Sequence, residues 1–409
     1  IVQRPWFQRL WIVQEVTLTS AVRFLCGSSS IPGNVFFKAI RILSSTVTDP
    51  PMPWLLKPYR RALKLGQLRA QVSAGKNYSF PHLAQVLSEW HCSKVHDRLI
   101  ALFALVFRDT QAWFTPSCSI SGPDFHAEFA KRHIYMTGGL TILHYAGCGD
   151  SDAHRLLQAD DRFVIQVNSP ADDIASWVPD WRVRSGPLAL SPNLENGSIA
   201  FTATDSVPEF KLDHHILHVC AREMDKIKVC GCPYYESLGS SLKITEIETF
   251  NHWFNLANFF LRNAEVESML ASTLVMDGKV AVTERQNIGA NSTDVPSLFG
   301  HWASKNLDDF KRACGENWKD RVEESTRYSY IAEEICRNRT FFITEAGRLG
   351  LGSVHVSPGA SIYLIYGLKS PFVIHQSHGM HVLCGECYVY GLMDGRIQCS
   401  DQDSFLYLK

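Results

Sequence analysis

The residues best suited to chemistry form a ladder of metal-ligand types near the end of the chain, His378-x-x-His381-x-x-Cys384-x-x-Cys387. Zinc would need all four to converge on one tetrahedral point. In a strand, His378 and Cys384 face one way while His381 and Cys387 face the other. In a helix, each three-residue step drifts by roughly 60°, spreading the four over about half the circumference. A knuckle-like turn at Cys384-Gly385-Glu386-Cys387 would gather them, but the neighbours Val382, Leu383 and Val389 favour buried strand thiols. Metal binding is therefore not expected. Cys230-Gly231-Cys232 is too tight for a zinc pair and lacks the Cys-x-x-Cys spacing of redox thiols, so it reads as a glycine turn with incidental thiols. His91-Cys92 sets a base beside a nucleophile in sequence, yet neighbours in sequence do not face each other on a helix. Leu349-Gly350-Leu351-Gly352 has too few glycines, and no following helix signal, for a nucleotide loop. The chain contains no Gly-x-Ser-x-Gly elbow, Walker-type loop or His-Glu-x-x-His helix. No cofactor is expected, and no catalytic residue is assigned.

The elements that would position these residues change character along the chain. Trp6, Leu10 and Val13 stand at helical spacing within a helix expected over 6–19, with Gln14 and Glu15 on its polar face. Further helices are expected over 35–43, 58–72, 82–90, 97–107 and 124–135, and the prolines of Asp49-Pro50-Pro51-Met52-Pro53 break the chain between the first two. From Arg162-Phe163-Val164-Ile165-Gln166-Val167 onward, short β-branched runs separated by Gly, Pro, Asn and Asp read as strands and turns, which puts a boundary near residue 150. Residues 191–198 and 286–297 are loops by composition, and 244–262 returns to helical spacing. After residue 338, the runs 341–344, 361–366, 372–374 and 388–390, punctuated by Gly and Pro, predict a small antiparallel sheet or barrel. The fold class is α+β: a helical N-terminal region, then a mixed region ending in a small antiparallel β module. The expected division is 1–30, 31–150 (helical), 151–337 (mixed α/β) and 338–409 (β module).

With 409 residues and 45% apolar content, the chain can bury cores for two or three domains without disulfide staples. Lys and Arg (40) nearly cancel Asp and Glu (41), which argues against nucleic acid as a partner through any net field, though a local patch stays open. Twelve cysteines fall well below disulfide-scaffold density. The best apolar run, Leu99 to Phe107, ends at Arg108 and is too short to cross a membrane, so no membrane partner is expected. Intracellular, cytoplasmic placement is expected, and the opening Ile1-Val2-Gln3 suggests that the natural N-terminus lies upstream.

Several segments resemble the fungal heterokaryon-incompatibility (HET) domain family, in that family's order. Arg4-Pro5-Trp6-Phe7-Gln8-Arg9-Leu10-Trp11-Ile12-Val13-Gln14-Glu15-Val16 is similar to the last block of the domain, with Trp6, Trp11, Gln14 and Glu15 on its motif positions. His96-Asp97-Arg98-Leu99-Ile100-Ala101-Leu102-Phe103-Ala104-Leu105 resembles the family's Asp-Arg helix, with Asp97 and Arg98 matched and Ile100 and Ala104 replacing its usual Tyr and Gly. Ser176-Trp177-Val178-Pro179-Asp180-Trp181 matches the family's Ser-Trp-Val-Pro-Asp-Trp, carrying Trp177, Pro179, Asp180 and Trp181. Taken bottom-up, the same stretch reads as a stiff aromatic packing motif, since Pro179 fixes φ and holds Val178 extended. Near the end, Gly385-Glu386-Cys387, Gly391, Asp394 and Gly395 fall on the pattern of the family's C-terminal module.

The resemblance implies a part in non-self recognition after hyphal fusion, with programmed cell death as the output, and a protein partner of unknown identity. It also implies that the HET domain is related to Toll/interleukin-receptor-like domains, doubly wound α/β folds. The domain's two earlier blocks, Ser-Tyr-x-Trp-Gly and Trp-Ile-Asp-x-x-Cys-Ile-Asn/Asp-Gln, do not occur in this sequence. Residues 1–30 are therefore expected to be the C-terminal remnant of a truncated HET domain. The retained chain is expected to regulate or scaffold rather than catalyse. The alternative is NAD hydrolysis by a full-length form.

Overall fold

A computed structural model describes residues 1–46, 53–94, 96–106, 110, 112, 114–115, 122–147, 174–181, 189–190, 206–234, 246–262, 265–279, 328, 331–377, 379–394 and 404–409. The expected strand at 162–167, the loops at 191–198 and 286–297, the boundary near 150, His378 and Gly395 lie outside these residues. The described residues form an α-helical N-terminal region followed by a mixed, β-rich C-terminal region, an α+β architecture. Two compact units share them: residues 1–125 with Trp181, and most of the chain from His126 onward.

In the first unit, the helix expected over 6–19 is two separate turns. A 3-10 turn, Pro5–Gln8, is followed by Arg9 in extended geometry (φ −75°, ψ 133°) and then by α1, Ile12–Thr17. The interruption has a hydrogen-bond cause. The Gln8 carbonyl accepts from His91 N–H at 2.6 Å and Leu10 N–H donates to the His91 carbonyl at 2.7 Å, so groups that a continuous helix would pair internally are used across the chain. A hairpin follows, β1 (Arg23–Cys26) on β2 (Ser29–Pro32), turned at Gly27, whose φ of +60° favours glycine. Its inward Phe24 joins Phe7 and Phe36, with ring centroids 5.7 and 4.4 Å away. Helices α2 (Gly33–Thr46) and α3 (Pro53–Ser73) pack closely: a Cβ on Gly66 of α3 would lie 2.7 Å from the Phe37 ring of α2. Then come α4 (Phe80–Val86) and α5 (Asp97–Phe103), both shorter than their apolar spacing predicts.

The second unit holds α6 (Gly122–Thr137, from His126 onward), a 3-10 turn at Thr141–Tyr145, and the main sheet. Strands β3 (Phe210–Asp213) and β4 (Ile216–Tyr234) precede α7 (Glu246–Leu261) and α8 (Val266–Leu274). Strands β5 (Arg339–Thr344), β6 (Leu349–Ser353), β7 (Ser361–Ile365), β8 (Phe372–Ser377), β9 (Met380–Glu386), β10 (Tyr388–Val389) and β11 (Ser404–Leu408) follow. The 19-residue β4 pairs with β3, β5, β7 and β11, all antiparallel. From β4 the ladders run through β5 and β6 to β10, and through β7 and β8 to β9. Strand β11 pairs antiparallel with β4 and in parallel with β9, so β4, β7, β8, β9 and β11 close into a barrel. Strands on both sides of residue 338 thus build one sheet.

Period-two alternation divides β5 and β6 between two cores. Phe341, Ile343, Leu349 and Leu351 face a core shared with Phe250 and Trp253 of α7 and Leu270 of α8. Phe342 points the other way, among Ile362, Val373, Cys384, Cys387 and Val389. Burial of each such large side chain stabilises by roughly 1.5–3 kcal/mol. The alternate Gly350 and Gly352 keep this second core open: Cβ atoms there would lie 2.2 Å from the Phe342 ring and 2.6 Å from Val356. Leu349-Gly350-Leu351-Gly352 is a strand fitted around a phenylalanine.

Cys230-Gly231-Cys232 differs from its expected turn, because it lies inside β4 at a shift of register. A Cβ on Gly231 would sit 2.5 Å from the Trp253 indole, which donates its Nε1–H to the Cys232 carbonyl at 2.8 Å. The glycine admits a side chain and does not reverse the chain.

Candidate functional site

The most concentrated buried chemistry in the second unit gathers on Glu386, at the end of β9. His144, in the 3-10 turn Thr141–Tyr145, brings Nδ1 to 2.7 Å from Glu386 Oε2. Ser370 Oγ–H donates to the same oxygen at 3.0 Å, and Leu190 N–H donates to Oε1. All three side chains are sealed from solvent, with His144 5%, Glu386 4% and Ser370 0% exposed, so this carboxylate must be satisfied from within. An ionised carboxylate only accepts, which places the Nδ1 proton on His144. Arg339 of β5, fully buried, interacts electrostatically with Glu386. Burial pulls the Arg339 guanidinium below its usual value, and the carboxylate opposes that pull.

These residue types invite comparison with a serine hydrolase relay, and the geometry rejects it. A relay has the acid on one imidazole nitrogen and the serine on the other. Here Ser370 Oγ lies 3.4 Å from the same Nδ1 that Glu386 engages, and its proton goes to the carboxylate. The cluster is a clamp built around one acceptor. Backbone fit reinforces it: a Cβ on Gly147 would lie 2.8 Å from the Cys384 carbonyl and from Gly385 Cα, and Gly385 itself has φ +119°. The segment carrying His144 therefore lies flush against β9.

A second tether joins the Trp-Val-Pro-Asp-Trp motif to the barrel. Ser176 donates from both its N–H (2.8 Å) and its hydroxyl to the Lys409 carbonyl, and its hydroxyl accepts from Leu383 N–H at 3.0 Å. Lys409 N–H in turn donates to the His381 carbonyl at 3.0 Å. Trp177 is fully buried and its Nε1–H donates to the His215 carbonyl at 2.9 Å. Pro179 is buried and Asp180 half-buried at the end of this turn. Trp181 belongs to the first unit, where it is buried and meets the Phe80 ring edge-on at 5.0 Å.

The motif residues near the start all lie in the first unit. Gln14, half-buried, donates to the Ile100 carbonyl at 3.3 Å, tying α1 to α5. Glu15 is exposed and, with Arg4, Trp6 and Arg23, lines an open groove of about 810 Å³. Trp11 is half-buried. Asp97 opens α5, and the buried Arg98 donates to the Leu87 carbonyl at 3.4 Å. Three α1-end carbonyls, those of Val16, Thr19 (2.8 Å) and Ser20 (3.0 Å), accept from the guanidinium of Arg69 on α3.

Of the metal-like ladder, Cys384 and Cys387 turn into the barrel core, where burial raises the Cys384 thiol to about 11 and Cys387 further. His381 Nδ1 accepts from Tyr407 N–H at 3.2 Å. Among the described residues, no group of three or more His, Cys, Asp or Glu is arranged to hold a metal ion. Gly391 has φ +80°, fitting its expected turn, and Asp394 lies in the bend beyond it. Sequence reasoning missed His144, Ser370, Arg339 and Arg69, whose partners are distant in sequence. A serine, histidine or arginine in an apolar stretch is the signal that each did leave.

Comparison with known proteins agrees with the barrel. Residues 300–408 match the Het-6 β-barrel domain family. Strand β4, which closes the barrel, lies before that matched stretch. The chain is 22% identical over 480 aligned residues to heterokaryon incompatibility protein 6, OR allele, of Neurospora crassa. The alignment covers 100% of this chain and spans about 66% of the relative's length. No solved structure matches. The chain thus shares homology with fungal heterokaryon-incompatibility proteins of the Het-6 type.

Proposed function

We propose that this chain serves heterokaryon incompatibility, the recognition of non-self after hyphal fusion with cell death as its output, and that it acts as a regulatory or scaffolding part without catalysing a reaction. The homology supports the family-level link. The observation that carries the non-catalytic reading is the Glu386 clamp. Among the described residues, the densest cluster of reactive residue types, His144, Ser370 and Glu386, spends its donors on holding separate segments of chain together. The partner in this reading is another protein.

One observation favours a second reading, NAD hydrolysis in a longer form: Glu15 is an exposed carboxylate in a groove flanked by Arg4 and Arg23. A single experiment separates the two. The chain and its Glu15→Gln and Glu386→Ala variants are expressed in a fungal recipient of different mating background. Viability of fused cells is scored, and NAD is assayed with the purified chain and with a form extended upstream. The expected result is altered viability that Glu386→Ala abolishes and Glu15→Gln leaves alone, with NAD intact. Healthy fusions with every form would overturn the incompatibility role, and NAD cleavage lost in Glu15→Gln would establish the enzyme.

A further inference from the structure

The overall charge of −1 conceals a sharp segregation. Residues 1–76 carry eleven Lys and Arg against two acids, Glu15 and Asp49, a net charge of +9, so the remaining residues sum to −10. Within the basic stretch, α2 contains no acidic residue. Its Phe36 and Ile40 are buried, Phe36 against Phe24 at 4.4 Å. Yet Val35, Ile42 and Leu43 are 49%, 49% and 44% exposed. At about 100° per residue, these three fall within an arc of roughly 100° that begins at Leu43, about 20° from the buried Phe36, and runs through Val35 to Ile42, about 120° from Phe36. The exposed Lys38 and Arg41 border that arc, roughly 40° and 100° beyond Ile42.

An outward aliphatic stripe with cations along its edge is the surface of a helix that lies in the plane of lipid headgroups. We propose that this face of α2 docks reversibly on an anionic phospholipid bilayer. Val35, Ile42 and Leu43 enter the boundary between headgroups and acyl chains, while Lys38 and Arg41 meet phosphate and carboxylate groups. Charge complementarity selects the anionic leaflet. The aliphatic stripe selects lipid over nucleic acid, because a phosphate backbone would satisfy the cations and leave three aliphatic side chains in water. Docking of this kind needs no spanning segment, and among the described residues no helix is long and apolar enough to cross a membrane.

The test is flotation of the full chain with vesicles of phosphatidylcholine alone or with about a third phosphatidylserine, at low and high salt. Binding is expected to the serine-containing vesicles and to fall with salt. Lys38→Glu with Arg41→Glu should weaken it by about tenfold or more. Ile42→Ser with Leu43→Ser should also weaken it while lowering the unfolding midpoint only modestly, since about half of each residue already faces water. Three results would each overturn the proposal: no binding by folded protein, equal binding to neutral vesicles, or indifference to both variant pairs. Tighter, Lys38- and Arg41-dependent capture by duplex DNA or polyglutamate would assign the surface to those partners instead.

Discussion

In the barrel unit one carboxylate, Glu386, collects donors from His144, Leu190 and Ser370, residues spread over more than half the chain. In the N-terminal unit one guanidinium, Arg69, supplies donors to the carbonyls of Val16, Thr19 and Ser20, which lie within five positions of each other. The two hubs have opposite charge and opposite reach. A buried acceptor joining distant segments makes them fold or fail together, because each stranded donor is costly in low dielectric. A cation on one helix end secures only that end, where water can replace it. Loss of the first hub should therefore be global and loss of the second local.

The largest expected effect tests the first half of that contrast. Glu386→Ala strands the donors of His144, Ser370 and Leu190 beside the buried Arg339 and should destabilise the barrel unit by roughly 3–5 kcal/mol. Urea unfolding measures it. Glu386→Gln, which keeps an acceptor oxygen, should lose less. If the alanine variant unfolds at the wild-type midpoint, the clamp holds nothing.

A smaller effect asks whether the barrel's tolerance is set by packing as tightly as by polarity. Gly350→Ala places a Cβ 2.2 Å from the Phe342 ring in a fully enclosed core, and overpacking of this kind costs about 1–3 kcal/mol. Phe342→Leu alone leaves a cavity, so the double variant should recover part of both losses. Strict additivity of the two changes would show that the glycine serves some purpose other than admitting the ring.

The difference between the two units also explains what could be read from the sequence. The helices at 33–46, 53–73 and 246–261 were legible because their apolar spacing is local, as were β5, β7, β8 and β10 from their β-branched and aromatic runs. Strand β4 was not legible: its Arg222, Asp225, Lys226 and Cys230-Gly231-Cys232 look like loop chemistry until four neighbouring strands and Trp253 supply their partners. The helix at the start was over-read for the same reason, since His91, remote in sequence, takes the hydrogen bonds that would have continued it. At the candidate site, Glu386 stood out within its Gly-Glu-Cys motif, whereas Ser370 and His144 left only the weak signal of a polar residue in an apolar stretch. Their importance arises from ring closure, which sequence spacing does not encode.

The smallest effect tests the local half of the contrast. Helix α1 has six residues, too few to persist without support; Leu18 N–H and the Thr19 hydroxyl reach the Gln14 and Glu15 carbonyls, and the Val16 carbonyl accepts from α3. Arg69 provides that support from α3 through two nitrogens. Its planar fork fits several carbonyls at once, which a single ammonium does not reproduce. Arg69→Ala should cost about 1 kcal/mol, because the freed Thr19 and Ser20 carbonyls lie at the surface and rehydrate, leaving only the Val16 carbonyl part-buried. Arg69→Lys should restore only part of it. Hydrogen exchange gives the decisive reading: amides of α1 should exchange on the order of fivefold faster, following that free energy, while those of β5 and β9 keep their rates. Equal acceleration in both units would show that Arg69, like Glu386, governs the whole molecule, and the distinction between a local cap and a global clamp would fall.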